Sequence, residues 1–343
     1  MTSNGNNSDV PSSNSQLLEA CAAGDLARVT ALLNDGADPE AARVTDGVTP
    51  LMVAAEGGFK DILKILLEAG APWHAQDHEG YTAGEYALGS KQHEAFRFLL
   101  DCAVEIEMTL ETPNERVKGK SVPVNAEYLG QKLRYEDGRL IDEDNEAVMM
   151  GWEAPLMEKH AEIVSGPGKD VLNIGFGLGI IDNEIQKHKP RLHTIVEAHP
   201  DVYSYMLDQG WDTKPGVKIV FGRWQDVVKD LGSFDGIFFD TYAEYYEDMK
   251  EFHDALPFLL RPGGVYSFFM GLAPDNWFFH LVYGEIVRLE LNRKGMSVKY
   301  DAIPIDVSSD ACWEGIANRY WHLPMYFLPT CTMTTGEDTL NEK

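Results

Sequence analysis

Two patterns of apolar and polar positions divide the chain. Up to about residue 105, apolar pairs such as Leu32-Leu33, Leu66-Leu67 and Leu99-Leu100 recur between polar, glycine-bearing stretches, which predicts short helices joined by turns. From about residue 148, compact apolar runs alternate with longer mixed stretches. Val171–Ile174, Thr194–Glu197, Val217–Val220, Phe234–Asp240 and Gly264–Phe269 are predicted as five buried strands. Helical stretches separate most of them, as a parallel α/β sheet requires. Ser297–Ile303 and Trp321–Leu328 add a predicted antiparallel edge. Between the two patterns, Lys132–Asp142 forms two extended runs around Asp137-Gly138, a hairpin signal. The expected layout is a disordered Ser/Asn-rich tail over 1–14, helical repeats over 15–105, a linker with the hairpin over 106–147 and an α/β domain over 148–343.

The helical part repeats with a period near 33. Asp46-Gly47-Val48-Thr49-Pro50-Leu51 returns as Glu79-Gly80-Tyr81-Thr82-Ala83-Gly84, and Leu32–Ala37 returns as Leu66–Ala71. Thr49 and Pro50 suit a helix start, Gly57-Gly58 a turn between helices, and Gly70 a helix end. The string Gly47–Ala55 resembles an ankyrin repeat, so a small all-α ankyrin domain of about three repeats is expected to precede the α/β domain. The third copy lacks the Pro-Leu pair after Thr82, as a capping repeat would.

Composition then narrows the class. The formal net charge of −26 repels nucleic-acid backbones and favours basic partners; the same acidity also serves solubility alone. Cys21, Cys102, Cys312 and Cys331 form no C-x-x-C pair, which argues against a zinc knuckle and fits a reducing compartment. The first fifteen residues carry no apolar core of a signal peptide, and no run of 18 apolar residues is present. Cytoplasmic and nuclear residence is expected, with no membrane and no nucleic-acid partner. His199, His253 and His280 show no ligand spacing, and no metal is expected.

The first α/β strand runs into Gly175-Phe176-Gly177-Leu178-Gly179-Ile180, where glycines let backbone approach a ligand at a strand's carboxyl end. Glu197 closes the second strand about 20 residues later, placed for ribose hydroxyls. Asp240 closes the fourth, and Leu259-Leu260-Arg261-Pro262-Gly263-Gly264 precedes the fifth. This succession resembles the class I S-adenosylmethionine methyltransferases, a Rossmann-like α/β fold, more than the dehydrogenases with their G-x-G-x-x-G spacing. One position departs: Asn173 stands where that class often carries an acid, so other groups must supply the charge facing the cofactor's ammonium.

Three further strings surround the glycine loop: Val148–Met157, with Trp152-Glu153-Ala154-Pro155; Gly222-Arg223-Trp224-Gln225-Asp226-Val227; and Phe234–Tyr242. Together they resemble guanidinoacetate methyltransferase and its relatives. Coupled to ankyrin repeats, they look like the fungal arginine methyltransferases that modify the internal, delta nitrogen of protein arginine. The resemblance implies S-adenosyl-L-methionine as cofactor and Glu153 and Asp240 as the guanidinium-binding, proton-accepting pair, with Asp240 also among the cofactor contacts. Gly175, Phe176, Gly177, Leu178, Gly179 and Ile180 would line the methionine part; Glu197, Ala198 and His199 the ribose and adenine; Trp224 and Gln225 the adenine; Met149 and Met157 the cofactor's apolar side. Each Met equally reads as core filler. Tyr128 would close over the cofactor as a lid, and Trp152 is as readily core as site. Tyr242, Tyr245, Tyr246 and the segment Met270–Ala273 are candidate pocket walls or plain packing.

The chemistry asks for such a pair. A guanidinium stays protonated with a pKa above ~12, so its nitrogens are poor nucleophiles. Two carboxylates orient it through paired hydrogen bonds, and one accepts the proton lost as the methyl arrives. Three functions follow as expectations. The first is methylation of arginine in a basic protein, with docking on the repeats. The second is methylation of a small guanidino metabolite. The third is a non-enzymatic scaffold, which the intact acidic and glycine positions disfavour.

Overall fold

The computed structural model describes residues 12–110, 125–244, 246–306 and 310–335. The expected disordered tail and Tyr245 lie outside these residues, apart from Ser12–Asn14. The chain divides into two compact units, Met1–Pro113 with Asn276–Glu285, and Asn114–Asp275 with Ile286–Lys343.

The first unit consists of helix pairs: α1 (Ser13–Ala22) with α2 (Leu26–Asn34), α3 (Pro50–Glu56) with α4 (Lys60–Glu68), and α5 (Ala83–Gly89) with α6 (His93–Leu110). Thr49 caps α3 by accepting from Met52 N, and Pro50 supplies the fixed φ of the first turn. At α5 the Glu85 carboxylate reaches back to Thr82 N at 2.7 Å. Leu17, Leu51, Met52, Leu63, Leu66 and Ala87 are buried between neighbouring pairs, so each repeat supplies the other's core. The last helix runs to Leu110, five residues beyond the expected boundary at 105, and half-buried Ile106 and Met108 continue its apolar face past that point. Asn276–Glu285 packs in this unit as well: a Cβ on Gly84 would lie 2.1 Å from the Phe278 ring.

The second unit begins with α7 (Ala126–Gly130) and an antiparallel sheet of β1 (Arg134–Glu136), β2 (Arg139–Ile141) and β3 (Ala147–Met150). Asp137 and Gly138 both take positive φ, 49° and 73°, which makes the tight β1–β2 turn. β3 is an addition to the expected elements. It pairs with β2 across the proposed 147/148 boundary, so hairpin and α/β domain form one unit.

The remaining elements are α8 (Ala154–Val164), β4 (Asp170–Ile174), α9 (Ile180–Lys187), β5 (Leu192–Glu197), α10 (Pro200–Asp208), β6 (Val217–Phe221), α11 (Trp224–Val227), β7 (Phe234–Phe239), α12 (Tyr246–Leu259), β8 (Leu260–Phe268), α13 (Trp277–Arg293), β9 (Met296–Pro304) and β10 (Met325–Met333). The seven-stranded sheet has the order β6-β5-β4-β7-β8-β10-β9. β6, β5, β4, β7 and β8 are parallel; β10 runs antiparallel to both neighbours. The edge pair is the one expected, but its second strand starts at Met325 rather than Trp321. Trp321 instead turns its indole N–H onto Leu323 O in a loop ended by Pro324, which has no N–H to give a ladder. All five residues of β4 are buried, as a strand covered on both faces must be. The chain leaves β4 toward β5 on one side and later enters β7 on the other. This reversal opens a crevice at the carboxyl ends of β4 and β7.

Candidate active site

The crevice is a cavity of about 360 Å³ in the second unit. Its floor is fixed by a close crossing. Asp240 N donates to Ile174 O at 3.0 Å, and Gly175 follows with φ +91°. A Cβ at Gly175 would stand 1.9 Å from Asp240 O, so only glycine lets the loop after β4 pass the end of β7. Gly177, at φ +56°, leaves 2.7 Å between its absent Cβ and Met149 Sδ. Glycine loop, β3 and the residue ending β7 are thereby held together.

Glu153 enters from a 3-10 turn, Gly151–Glu153, between β3 and α8. Its Oε1 accepts from Met150 N at 2.9 Å and from the Tyr320 hydroxyl at 2.5 Å. Oε2 takes no hydrogen bond among the described residues. Glu153 is 3 % exposed, and burial, then the charge of Asp240, drives its pKa far above the glutamate range. Asp240 faces the same cavity, and burial raises its pKa too. Two buried carboxyl groups whose charged forms are disfavoured are suited to receive a cationic group. Tyr320 is held by Trp152 and Trp313, with ring centroids 5.8 and 5.1 Å away.

At the other end, Glu197 closes β5 with 7 % exposure. Its Oε2 accepts from Phe176 N at 2.9 Å and its Oε1 from His199 N at 2.6 Å, ties that hold a carboxylate at the cavity rim although burial raises its pKa. Trp224 lies beyond it, its Nε1 donating to Glu244 Oε2 at 2.9 Å. Glu244 also accepts from Gln225 Nε2 and Thr241 Oγ1, both at 2.8 Å, and from Asn125 Nδ2 at 3.4 Å. Burial raises the Glu244 pKa against these donors. The Tyr128 ring covers this region, 4.8 Å from both the His199 and the Tyr242 rings.

Of the expected contacts, Tyr128, Met149, Glu153, Gly175, Phe176, Gly177, Glu197, Ala198, Trp224 and Asp240 line the cavity, as do Tyr242 and Gly271. Six do not. Met157 is fully buried on α8 within the core, the filler reading of a methionine. Leu178 and Ile180 turn from the loop onto that same core. Gly179 caps α9 in left-handed conformation beneath the Phe176 ring. His199 caps α10 through Asp201 N and meets Tyr128 O with its other nitrogen, so it braces Tyr128. Gln225 gives its amide to Glu244. Asn173 also turns away from the expected ligand contact, spending both amide hydrogens on Gly175 O and Asp182 Oδ1. Trp152 packs among Trp313, Tyr320 and Trp321, and Tyr246 bonds Glu290. Tyr320, Glu244 and Asn125 are cavity residues that sequence reasoning missed. They come from segments without periodicity or motif, and only Glu244, four residues after Asp240, stood near a recognised string.

A glycine cradle closed to any Cβ, a rim carboxylate and an aromatic cover fit a nucleoside-bearing ligand. The buried acid pair beside them fits a cationic group. These are the parts of a Rossmann-like methyltransferase domain of the guanidino type, joined to ankyrin repeats. Residues 136–289 match the model of the guanidinoacetate N-methyltransferase family, and residues 17–110 match ankyrin repeats in three copies. Among curated proteins, three called protein arginine N-methyltransferase 2 are similar. That of Yarrowia lipolytica is 42 % identical over 60 % of this chain and 47 % of its own length. That of Aspergillus oryzae is 33 % identical over 78 % and 77 %, and that of Cryptococcus neoformans 35 % over 84 % and 86 %. The chain belongs to the protein arginine N-methyltransferase 2 family.

Proposed function

We propose that this protein methylates arginine side chains of proteins at the delta nitrogen, with S-adenosyl-L-methionine as donor. The observation that carries the reading is the buried pair Glu153 and Asp240 on one wall of the crevice that holds the glycine loop. When bound, S-adenosylmethionine supplies a methyl group made electrophilic by its sulfonium. Gly175, Phe176 and Gly177 would hold its amino-acid part, Glu197 and Ala198 its ribose, and Trp224 and Tyr128 its base.

Glu153 Oε2 and Asp240 accept N–H bonds from the guanidinium and fix its plane. Their negative charge offsets the two positive groups that must meet there. Tyr320 and Met150 N hold Glu153 Oε1, which fixes the other oxygen in place. As nitrogen gains carbon it loses a proton, and one of the two carboxylates accepts it. The cavity's aromatic and apolar walls keep water from competing for the methyl.

The delta position rests on the likeness to the fungal arginine methyltransferases. The acidic chain, at −26, supports a basic protein substrate, and the ankyrin stack supports docking of such a partner. No helix among the described residues is long and apolar enough to cross a membrane. Cys21, Cys102 and Cys331 form no disulfide, which supports residence in the reducing cytoplasm and nucleus. A second reading, a small guanidino acceptor, is favoured by the guanidinoacetate-type match alone. Labelled cofactor offered with a basic acceptor protein, free arginine and guanidinoacetate separates the two. Mass spectrometry should find the methyl on the delta nitrogen of acceptor arginines; turnover of only the small molecules overturns the first reading.

A further inference from the structure

Asp182 has no part in the mechanism above, yet it is a fully buried carboxylate in the first turn of α9, directly after the glycine loop. Its Oδ1 accepts from Asn173 Nδ2 at 2.8 Å, and His193 Nε2 lies 3.2 Å from the same oxygen, off the hydrogen-bond direction. Its Oδ2 is buried with no hydrogen-bond partner. No lysine or arginine comes within ion-pair distance of it among the described residues. Lys214, whose charge reaches Asp182, is held 3.2 Å above the Trp211 ring. A buried carboxylate oxygen that accepts no hydrogen bond is a costly arrangement and needs an explanation.

The explanation lies in its position. Asn173 sits between Asp182 and the loop: one amide hydrogen goes to Asp182 and the other to Gly175 O at 2.7 Å. Its own Oδ1 is buried without a partner. Ile174 and Ile181, which adjoin Asn173 and Asp182 in the chain, line the cavity together with Gly175. The Asp182 charge is felt at Glu197, on the far side of the same loop. In a low-dielectric interior an unscreened charge acts over such distances.

We infer that Asp182 supplies, through Asn173 and the Gly175 backbone, the negative charge that attracts the cofactor's ammonium, in place of an acid at the end of β4. The charge has moved from strand to helix, and the amide at 173 carries its polarisation to the loop. Asp182 is a positioning residue. The inference rests on S-adenosylmethionine being the ligand of the crevice.

Calorimetric titration tests it with three ligands: S-adenosylmethionine, S-adenosylhomocysteine and methylthioadenosine. The last has the nucleoside and thioether but no amino-acid end. In Asp182→Asn, affinity for the first two should fall at least about tenfold, the scale of one charge-assisted contact, while methylthioadenosine stays within about twofold. The pair Asn173→Asp with Asp182→Asn returns the charge to the strand and should restore both affinities to within about threefold. Unchanged affinity for the first two ligands in Asp182→Asn overturns the inference. So does a parallel loss of methylthioadenosine, which would mark a structural role, and so does failure of the double variant to recover. Wild-type protein that binds none of the three ligands overturns the cofactor reading itself, and this inference with it.

Discussion

Tyr320 donates its hydroxyl proton to Glu153 Oε1 at 2.5 Å across 167 residues of sequence. The contact joins the loop before β10 to the turn before α8 and leaves Oε2 as the oxygen available to a substrate. It also lowers the Glu153 pKa against the rise that burial imposes. Tyr320→Phe should reduce kcat about tenfold, the scale of one hydrogen bond to a charged group, with cofactor affinity unchanged. The acid limb of its kcat profile should move to higher pH, because removal of the donor raises the Glu153 pKa. Steady-state kinetics across pH checks both; an unshifted limb would show that Tyr320 is only packing.

Glu153→Gln and Asp240→Asn should each lower turnover at least ~100-fold, within the range that a positioned proton acceptor contributes. Both should keep cofactor affinity, since Glu197 and the glycine loop are untouched. Single-turnover rates with titrated cofactor distinguish the two effects, and near-wild-type rates in both variants would remove the assigned roles.

The crossing of Gly175 over Asp240 makes a sharper structural prediction. In Gly175→Ala the new Cβ meets a carbonyl oxygen, not a movable side chain, at a φ that side chains rarely adopt. Cofactor affinity should fall at least about tenfold, and the melting temperature should drop as well. Retention of both would place the ligand elsewhere.

Much of this architecture was legible from residues alone, for physical reasons. The 33-residue period, the solid apolar strands and the glycine loop are local or repeating signals. Glu197 and Asp240 were found because they end strands that could themselves be recognised. Tyr320 and Glu244 were not, since their roles arise from long-range contacts made by irregular loops. Asp182 was hidden differently: a carboxylate in a helix's first turn ordinarily reads as a favourable charge at the helix N-terminus. Met157 failed in the opposite sense, as a motif position whose helix turns it into the core.

Stability should carry the signature of the acid pair. Glu153 holds its proton more tightly in the folded chain than unfolded, so its contribution is present at acid pH and is lost as pH rises. Glu153→Gln lacks that loss. The melting temperature of the variant minus that of the ligand-free wild type should therefore become more positive from the ordinary glutamate range near ~4.3 up through neutral pH. Thermal unfolding at matched ionic strength measures it; an offset independent of pH would mean that Glu153 is not held in an unfavourable charged state.

The account depends most on two acids that share one guanidinium. A crystal structure with S-adenosylhomocysteine and an arginine-containing peptide tests this directly. Glu153 Oε2 and an Asp240 oxygen should each lie within hydrogen-bonding distance of guanidinium nitrogens, with the delta nitrogen facing the sulfur. A peptide arginine bound outside the crevice, or one held by neither acid, would contradict it.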